Sequence, residues 1–169
     1  MEVIDYNKFK IVDYEKKFAD LIDQMEVNQW GQWGEESIDD FVNPNEIIRV
    51  AIYDNEFVGC AYGELQNDNS FWIDVICIVP KFQKCGFGTL MLKDIINVAK
   101  TKFKIKTIKT ESVFVNEHSN SKKMIEKAGF SVCRQQEKGY WGKLYPQVFC
   151  TECNHCPCEC TTLFYELKL

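Results

Sequence analysis

One junction in this chain, where a strand-like segment meets a helix-like one, limits the folds it can adopt. The segment FWIDVICIV, residues 71–79, is rich in β-branched and aromatic side chains and is followed by Pro80, so it predicts a buried strand. The hexapeptide QKCGFG comes next and opens a segment with apolar residues at helical spacing: Leu92, Ile95, Ile96 and Ala99. A strand, a glycine loop and a helix in this order predict a sheet covered by helices.

The rest of the chain predicts further elements of both kinds. Asp13 is a candidate N-cap for a first helix, and EESIDDF suggests a second, short one. Two apolar runs around Asp54 and Asn55 predict a β-hairpin, and Gly129 is a candidate C-cap for a later helix. We expect a mixed α+β fold with the order β-α-α-β-β-β-α-β-α-β-β, in a single domain spanning residues 1–169.

Charge and hydropathy exclude some partners. The chain has 25 acidic and 20 basic residues, a net charge of −5, which disfavours a nucleic-acid partner and suits a cationic substrate. Its apolar runs are shorter than the roughly 18 residues of a membrane helix, so no membrane partner is expected. The N-terminus MEVIDYNKFK lacks a signal-peptide core, so we expect a cytoplasmic protein. The oligomeric state stays open, with a homodimer as one option.

The glycine loop suits an anion. The first N–H groups of a helix have no intrahelical partner, and glycine lets a phosphate approach the backbone. Gly86 and Gly88 meet this requirement, with Lys84 and the Thr89 hydroxyl beside them. The Walker and dinucleotide-binding patterns are both absent. Taken alone, the loop is better explained as a tight turn.

Two motifs together resemble the GNAT superfamily of N-acetyltransferases. WIDVICIVPKFQKCGFGTLMLKDII is similar to the family's strand, Val-x-Pro step and Arg/Gln-x-x-Gly-x-Gly/Ala loop. HSNSKKMIEKAGF resembles its later Glu-Lys-x-Gly-Phe segment, and the element order agrees along most of residues 1–149. The resemblance implies a central, mostly antiparallel mixed sheet flanked by helices, and transfer of an acetyl group from acetyl-CoA to a primary amine.

The resemblance also implies which residues contact acetyl-CoA. Backbone amides of the glycine loop would hold the pyrophosphate, exposed backbone of the preceding strand would pair with the pantetheine arm, and the later motif would add polar contacts. The candidate residues are Ile76, Cys77, Ile78, Gln83, Lys84, Cys85, Gly86, Phe87, Gly88, Thr89, His118 and Ser121. We expect Cys77 and Cys85 to be structural, because no activating base stands beside them.

Asp74 is the candidate general base. In many family members an acidic residue on the strand before the loop takes the proton from the amine. Strand alternation predicts that Asp74 shares a face with Trp72, Ile76 and Ile78, and partial burial there would raise its pKa. The alternative is an Asp whose carboxylate simply bonds to a neighbouring amide. A backbone N–H near Ile78 would polarise the thioester carbonyl.

The general acid departs from the family pattern. Where the family often has a tyrosine that protonates the leaving thiolate, this chain has Ile125, and His118 replaces the family's asparagine. Tyr140 and Tyr145 are other proton donors in the sequence. An enzyme without a dedicated acid is the alternative, since a thiolate is a tolerable leaving group.

A cysteine cluster precedes the last predicted strand. In a chain without an export signal, CTECNHCPCEC indicates a metal site rather than disulfides, and its first step is a Cys-x-x-Cys pair. We favour a structural zinc ion in a metal-binding loop at residues 150–160, with redox-active or merely reduced thiols as alternatives. Zinc needs four ligands, and the spacing leaves the choice open among His155, Cys150, Cys153, Cys156, Cys158 and Cys160.

The sequence says less about the amine that accepts the acetyl group than about the acetyl-CoA that donates it. Candidate substrate-binding residues are Trp30, Trp33, Glu36 and Trp72, an aromatic and acidic set that suits a cationic amine of the aminoglycoside or polyamine type. A solvated acidic helix face explains them as well, and a protein amine stays open. Two rival functions remain: a non-catalytic acyl-CoA sensor, and a metal- or redox-responsive interaction protein centred on the cysteines.

Overall fold

A computed structural model describes residues 4–31, 37–114 and 121–169. The strands in these ranges are β1 (Phe9–Asp13), β2 (Glu46–Tyr53), β3 (Glu56–Leu65), β4 (Phe71–Ile78), β5 (Thr107–Phe114), β6 (Ser131–Gln135) and β7 (Thr161–Lys168). The α-helices are α1 (Ala19–Trp30), α2 (Phe87–Phe103), α3 (Lys122–Lys127) and α4 (Tyr140–Leu144). None of the helices in this part of the chain combines the length and apolarity that crossing a bilayer requires.

The seven strands form one sheet in the order β1-β2-β3-β4-β5-β7-β6. The β4–β5 pair is parallel, and the other neighbours pair antiparallel. Asp54 and Asn55 connect β2 to β3, both at positive φ, as a two-residue hairpin turn requires. The predicted mixed α+β fold with a mostly antiparallel sheet is confirmed.

Helices cover both faces of the sheet. Successive residues of a strand point to opposite faces, and Val50 and Ala51 of β2 accordingly belong to different apolar clusters. The larger cluster lies under α2 and includes Met91, Leu92 and Ile95. The smaller one lies under α1. We call the two sides of the sheet the α2 face and the α1 face.

Three local predictions differ from the structure. Asp13 is not an N-cap, because it pairs with Arg49 as the last residue of β1, and α1 begins six residues later at Ala19. The end of the predicted EESIDDF helix is a single 3-10 turn, Ile38–Phe41, while its start lies outside the described residues. Helix α4 was not predicted, since five residues carry too little periodicity to detect.

Candidate active site

Strands β4 and β5 separate in the middle of the sheet. Their pairing covers Phe71–Ile73 and Ile108–Thr110, where the Thr110 hydroxyl donates to the Ile73 carbonyl at 3.0 Å. Past these residues β4 continues along β3, and β5 continues along β7. Residues 74–78 of β4 and 111–114 of β5 therefore border an opening that we call the β4–β5 gap.

Backbone groups of β4 point into this gap. The Val79 N–H donates to the Val58 carbonyl at 2.9 Å, so that pair is hydrogen-bonded across to β3. Bonded and non-bonded pairs alternate in an antiparallel ladder. Cys77 therefore bonds to β3, whereas the backbone groups of Ile76 and Ile78 face the gap. The expectation that Cys77 also offers its backbone there is corrected, because the ladder directs that backbone the other way.

The glycine loop, residues 83–89, connects the end of β4 to the start of α2. The N–H groups of Thr89 and Leu90 both donate to the Gly86 carbonyl, at 3.1 and 3.2 Å. The two helical N–H groups before Thr89 lie at the positive end of a helix of 17 residues. Gly86 has a φ of +82°, which favours glycine. The Gln83 amide donates to the Ile78 carbonyl at 2.9 Å and ties the loop to β4.

Aromatic side chains anchor the glycine loop to the rest of the fold. Phe87 is buried and stacks on Phe9 with ring centroids 4.3 Å apart. The Tyr6 hydroxyl donates to the Cys85 carbonyl at 2.9 Å. The Lys84 side chain is exposed, at a φ of +62°. Phe87 and Cys85 therefore shape the loop, and any ligand would meet backbone and Lys84.

Helix α3 approaches the same loop. A Cβ added to Gly88 would lie 3.3 Å from the Met124 Sδ, so a larger residue there would push against α3. Ser121, the N-cap of α3, hydrogen-bonds to the Ser112 hydroxyl of β5 at 2.8 Å. His118, the other residue predicted in this motif, lies outside the described residues.

A β-bulge in β4 changes the direction of Asp74. The register with β3 shifts between Tyr62 and Gly63, so that Asp74 is the extra residue. A Cβ on Gly63 would lie 2.1 Å from the Trp72 carbonyl oxygen, which shows how closely the two strands approach. The predicted common face is therefore wrong for Ile76 and Ile78. Asp74 lines a cavity on the α1 face, while Ile76 and Ile78 pack on the α2 face.

This cavity has a volume of about 120 Å³ and lies beside the bulge. Its walls combine carboxylates with aromatic and aliphatic side chains. They are Phe41, Glu46, Ile48, Tyr62, Gly63, Glu64 and Asp74. Sequence reasoning found Asp74 alone of the three acidic residues. Glu46 and Glu64 are opposite each other on β2 and β3, a pairing that predicted hairpin register could have revealed.

The Asp74 carboxyl is accessible to solvent on one side but crowded by protein atoms on the others. This desolvation, with the charges of Glu64, Glu111 and Glu46, raises its pKa to about 7, although a hydrogen bond from Trp72 opposes the rise. A carboxylate with a pKa near neutrality can accept a proton from an ammonium group and release it again. Desolvation likewise raises the pKa of Glu111 on β5 to about 7.

The predicted substrate-binding residues lie in different parts of the molecule. Trp30 packs against the apolar cluster under α1. Trp72 contacts Phe164, with ring centroids 5.9 Å apart, and lines a separate groove of about 550 Å³ that also includes Lys109 and Arg134. Trp33 and Glu36 lie outside the described residues.

The remaining candidates for proton transfer and nucleophilic attack lie elsewhere. Ile125 is buried in the cluster under α2 and offers no proton. Tyr140 begins α4, and Tyr145 follows it. Burial raises the pKa of the Cys77 thiol to about 12, which keeps it protonated at neutral pH. This agrees with a structural role for that cysteine.

Comparison with the profiles of protein families identifies the family of this chain. The profile of the acetyltransferase (GNAT) family matches residues 13–130. The chain belongs to the GNAT acetyltransferase family. The match covers the gap, the glycine loop and the whole cavity wall. A search of curated proteins by sequence gave no match.

Solved structures share the fold of this GNAT protein at low sequence identity. The ribosomal-protein-S18-alanine N-acetyltransferase of Escherichia coli aligns over 95% of this chain and 93% of its own, with 15% identity and a TM-score of 0.74. A Bacillus subtilis acetyltransferase in complex with CoA aligns over 96% and 99%, with 18% identity and a TM-score of 0.73. The aminoglycoside 6'-N-acetyltransferase of Enterococcus faecium aligns over 94% and 96%, with 12% identity and a TM-score of 0.70.

The cysteine cluster of this GNAT protein lies beyond the residues that match the family. Four of its thiols converge, with all Sγ atoms within 4.8 Å of one another: Cys150, Cys153, Cys158 and Cys160. Cys156 lies apart and is exposed, with its Sγ 3.5 Å from the Pro146 carbonyl. The spacing in the sequence could not make this selection, because it depends on the path of the loop.

Proposed function

We propose that this protein transfers an acetyl group from acetyl-CoA to a primary amine, with Asp74 as the general base. The observation that carries the proposal is the position of Asp74. It lies at the bulge where β4 begins to part from β5, with a cavity on one side and the gap beside it. Membership of the GNAT family and a neighbour of the same fold in complex with CoA support acetyl-CoA as the donor.

The donor side uses backbone. The N–H groups at the start of α2 bind the pyrophosphate, with the exposed Lys84 adding charge. The pantetheine arm pairs with the free backbone groups of Ile76 in the β4–β5 gap, as an added strand would. The Ile78 N–H polarises the thioester carbonyl and stabilises the negative charge that develops on its oxygen.

The acceptor side uses the carboxyl of Asp74. An amine enters the cavity as an ammonium ion, and Asp74 takes its proton and leaves a neutral nucleophile. The nitrogen then attacks the thioester carbon, the C–N bond forms and the C–S bond breaks. The acylated nitrogen releases its second proton to solvent water, and a neutral amide remains. CoA departs as a thiolate and takes its proton from water, which agrees with the apolar Ile125 at the family's usual tyrosine position.

The acceptor we favour is a small polycationic amine. Glu46, Glu64 and Asp74 line the same cavity, and Glu111 acts on Asp74 from β5. A cation placed there would compensate these charges. Among the structural neighbours, two are named for an aminoglycoside acceptor and one for a ribosomal protein, so a protein amine is the second acceptor class to test.

The test compares Asp74→Asn with the wild type on a panel of aminoglycosides, polyamines and N-terminal peptides. Because the base must be ionised, the wild-type kcat/KM should rise with pH through about 7. In the variant, kcat/KM should no longer rise with pH through this range. Its activity should also be about 10²- to 10⁴-fold lower than that of the wild type, which is the usual contribution of a general base. Asp54→Asn makes the same chemical change in a distant hairpin turn and should leave both unchanged.

Full activity in Asp74→Asn would remove Asp74 as the base. Acetyl-CoA binding by the wild type without acetylation of any amine in the panel would contradict the proposed enzyme and favour an acyl-CoA sensor. Binding is measured by calorimetry and acetylation by release of free CoA.

A second variant separates the base from the charges around it. Glu111 raises the pKa of Asp74 through its negative charge. Glu111→Gln should therefore keep kcat within a few-fold and move the rising limb of the pH profile to lower pH. Loss of the limb altogether would show that Glu111 rather than Asp74 is the titrating group, and a shift to higher pH would contradict the charge effect of Glu111 on Asp74.

A further inference from the structure

We propose that Cys150, Cys153, Cys158 and Cys160 bind one Zn²⁺ ion in a closed tetrathiolate site. We further propose that this ion fixes the C-terminal end of α1, on the acceptor side of the sheet. The second part deepens the proposed function and rests on it. The first part stands alone.

The distances among the four thiols fit a tetrahedral ion. Zinc binds thiolates at about 2.3 Å, which places tetrahedral sulfur atoms roughly 3.8 Å apart. The Cys150 and Cys160 Sγ atoms are 3.8 Å apart, and all four lie within 4.8 Å of one another. All four cysteines are free, and a disulfide would require a separation of about 2.05 Å.

Backbone groups already point at these sulfur atoms. The Glu159 N–H donates to the Cys153 Sγ and the Cys160 N–H to the Cys158 Sγ, both at 3.4 Å. Such bonds orient thiolate ligands and offset part of their negative charge. Cys150, Cys158 and Cys160 are almost completely buried, which suits a structural ion. Four sulfur ligands leave no open position for a substrate or water.

The other two candidate ligands, Cys156 and His155, lie outside the proposed zinc site. The Cys156 side chain is exposed and contacts the Pro146 carbonyl instead. The His155 ring is also exposed, 3.9 Å from Glu159. His155 contributes its backbone, since its carbonyl accepts from the Cys150 N–H at 3.0 Å and closes the turn that contains Cys153.

The loop joins elements that are distant in the sequence. The Thr151 hydroxyl donates at 2.9 Å to the carbonyl of Gln29, one of the last four carbonyls of α1, which lack intrahelical partners. A Cβ added to Gly31 would lie 3.4 Å from the Thr151 methyl group. On its other side the loop packs against α4, where a Cβ on Gly142 would lie 2.2 Å from the Cys158 carbonyl oxygen. Val113 of β5 completes the cluster.

The contacts of Thr151 lie at α1, on the acceptor side. Val113 contacts the cluster from β5, whereas the pantetheine arm is proposed to pair with β4 on the other side of the gap. Helix α1 is bonded to the 3-10 turn Ile38–Phe41 through Asp23, whose carboxylate accepts from the Ser37 hydroxyl and the Ile38 N–H, both at 2.8 Å. Phe41 in turn lines the Asp74 cavity. The glycine loop is held separately, by Tyr6 and by the stack of Phe87 on Phe9. Loss of the ion should therefore weaken use of the amine and leave binding of acetyl-CoA intact.

The first experiment measures the metal. Protein purified without chelator in a zinc-containing medium should carry one zinc per chain by plasma mass spectrometry. Protein reconstituted with Co²⁺ should show the thiolate-to-cobalt charge transfer and the strong visible bands of a tetrahedral site. A substoichiometric trace of zinc, iron in its place, or a cobalt spectrum of an octahedral site would each overturn the proposed site.

A matched pair of variants tests the ligand set. Cys153→Ser alters the most accessible of the four ligands, and Cys156→Ser makes the same change three residues away. We expect zinc to be lost in the first and retained in the second. The reverse result, or retention in both, would overturn this choice of ligands. If Cys153→Ser does not fold, chelation and re-addition of zinc to the reduced wild type supply the same comparison, with a reversible fall in Tm expected.

The last arm tests the role of the ion. In metal-free protein or Cys153→Ser, the dissociation constant for acetyl-CoA should stay within about twofold. The KM for the amine should rise about tenfold or more, since small displacements of a binding wall have large kinetic effects. An unchanged amine KM would overturn the role while leaving the zinc site intact. If no amine is acetylated even by the zinc-loaded wild type, the proposed function fails instead.

Discussion

Glu26 is a carboxyl group inside the apolar layer between α1 and the sheet. Its side chain is 4% exposed, and its Oε1 atom has no hydrogen-bond partner. Desolvation raises its pKa to about 7, with Asp23 adding to the rise and a hydrogen bond from Tyr62 opposing it. Tyr62 in turn lines the Asp74 cavity, so it lies between Glu26 and the cavity of the proposed base.

The buried acid predicts how stability depends on pH. Between about pH 4.5 and pH 7 the folded protein holds a proton on Glu26 that the unfolded chain has released. The proton on Glu26 therefore adds to the free energy of unfolding. This stabilisation is complete below pH 4.5 and is lost as the pH rises through 7, a change of about 3 kcal/mol. Glu26→Gln cannot ionise and should be more stable than the wild type at pH 8 but not at pH 4.

Urea denaturation at several pH values measures this difference. The exposed Glu15, changed to Gln, is the matched control and should alter the free energy of unfolding by no more than about 0.5 kcal/mol. Parallel stability curves for the wild type and Glu26→Gln across this range would contradict a raised pKa at Glu26.

Strand β4 shows where sequence reasoning succeeded and where it failed. Its composition and the proline after it predicted the strand, and the glycine loop and α2 followed in the predicted order. Alternation then placed Asp74 with Ile76, and the bulge reversed that relation. An isolated glycine in a strand is a known sign of a bulge, so Gly63 held the missing information.

Other parts of the site depend on contacts that no local pattern contains. Glu111 affects Asp74 because β5 lies beside β4, across a crossover that includes all of α2. The choice of Cys158 over Cys156 depends on how the loop packs against α4. Spacing predicts which residues are available, and tertiary packing decides which of them meet.

The bulge itself can be tested through Gly63. A Cβ there would lie 2.1 Å from the Trp72 carbonyl oxygen and 2.9 Å from the Ile73 Cα, both backbone atoms that cannot move alone. Gly63→Ala should therefore lower the free energy of unfolding by about 3 kcal/mol, and kcat should fall as Asp74 is displaced. Denaturant midpoints and steady-state kinetics measure the two effects.

Gly88→Ala is the control for stability. Its new Cβ would meet the flexible Met124 thioether at 3.3 Å, so we expect a change below about 1 kcal/mol. Equal stability of Gly63→Ala and the wild type would mean that β3 and β4 do not approach as closely as described.

On the scale of the whole molecule, charge distinguishes the donor side from the acceptor side. The chain carries a net charge of −5, which repels the anionic donor. The glycine loop offsets this locally through helix N–H groups and the exposed Lys84. The cavity instead collects carboxylates, among them Glu46 and Glu64. The two substrates should therefore respond differently to salt.

A polycationic acceptor should be steered toward the cavity by the field of these carboxylates. Raising the ionic strength from about 0.01 M to about 1 M shortens the screening length from about 30 Å to about 3 Å. We expect kcat/KM for a polyamine to fall at least tenfold over this range, within the span known for steered association. For a monoamine of similar length the fall should be much smaller. In Glu64→Gln the salt dependence for the polyamine should weaken, whereas equal salt dependence for both amines would argue for an uncharged or singly charged natural acceptor.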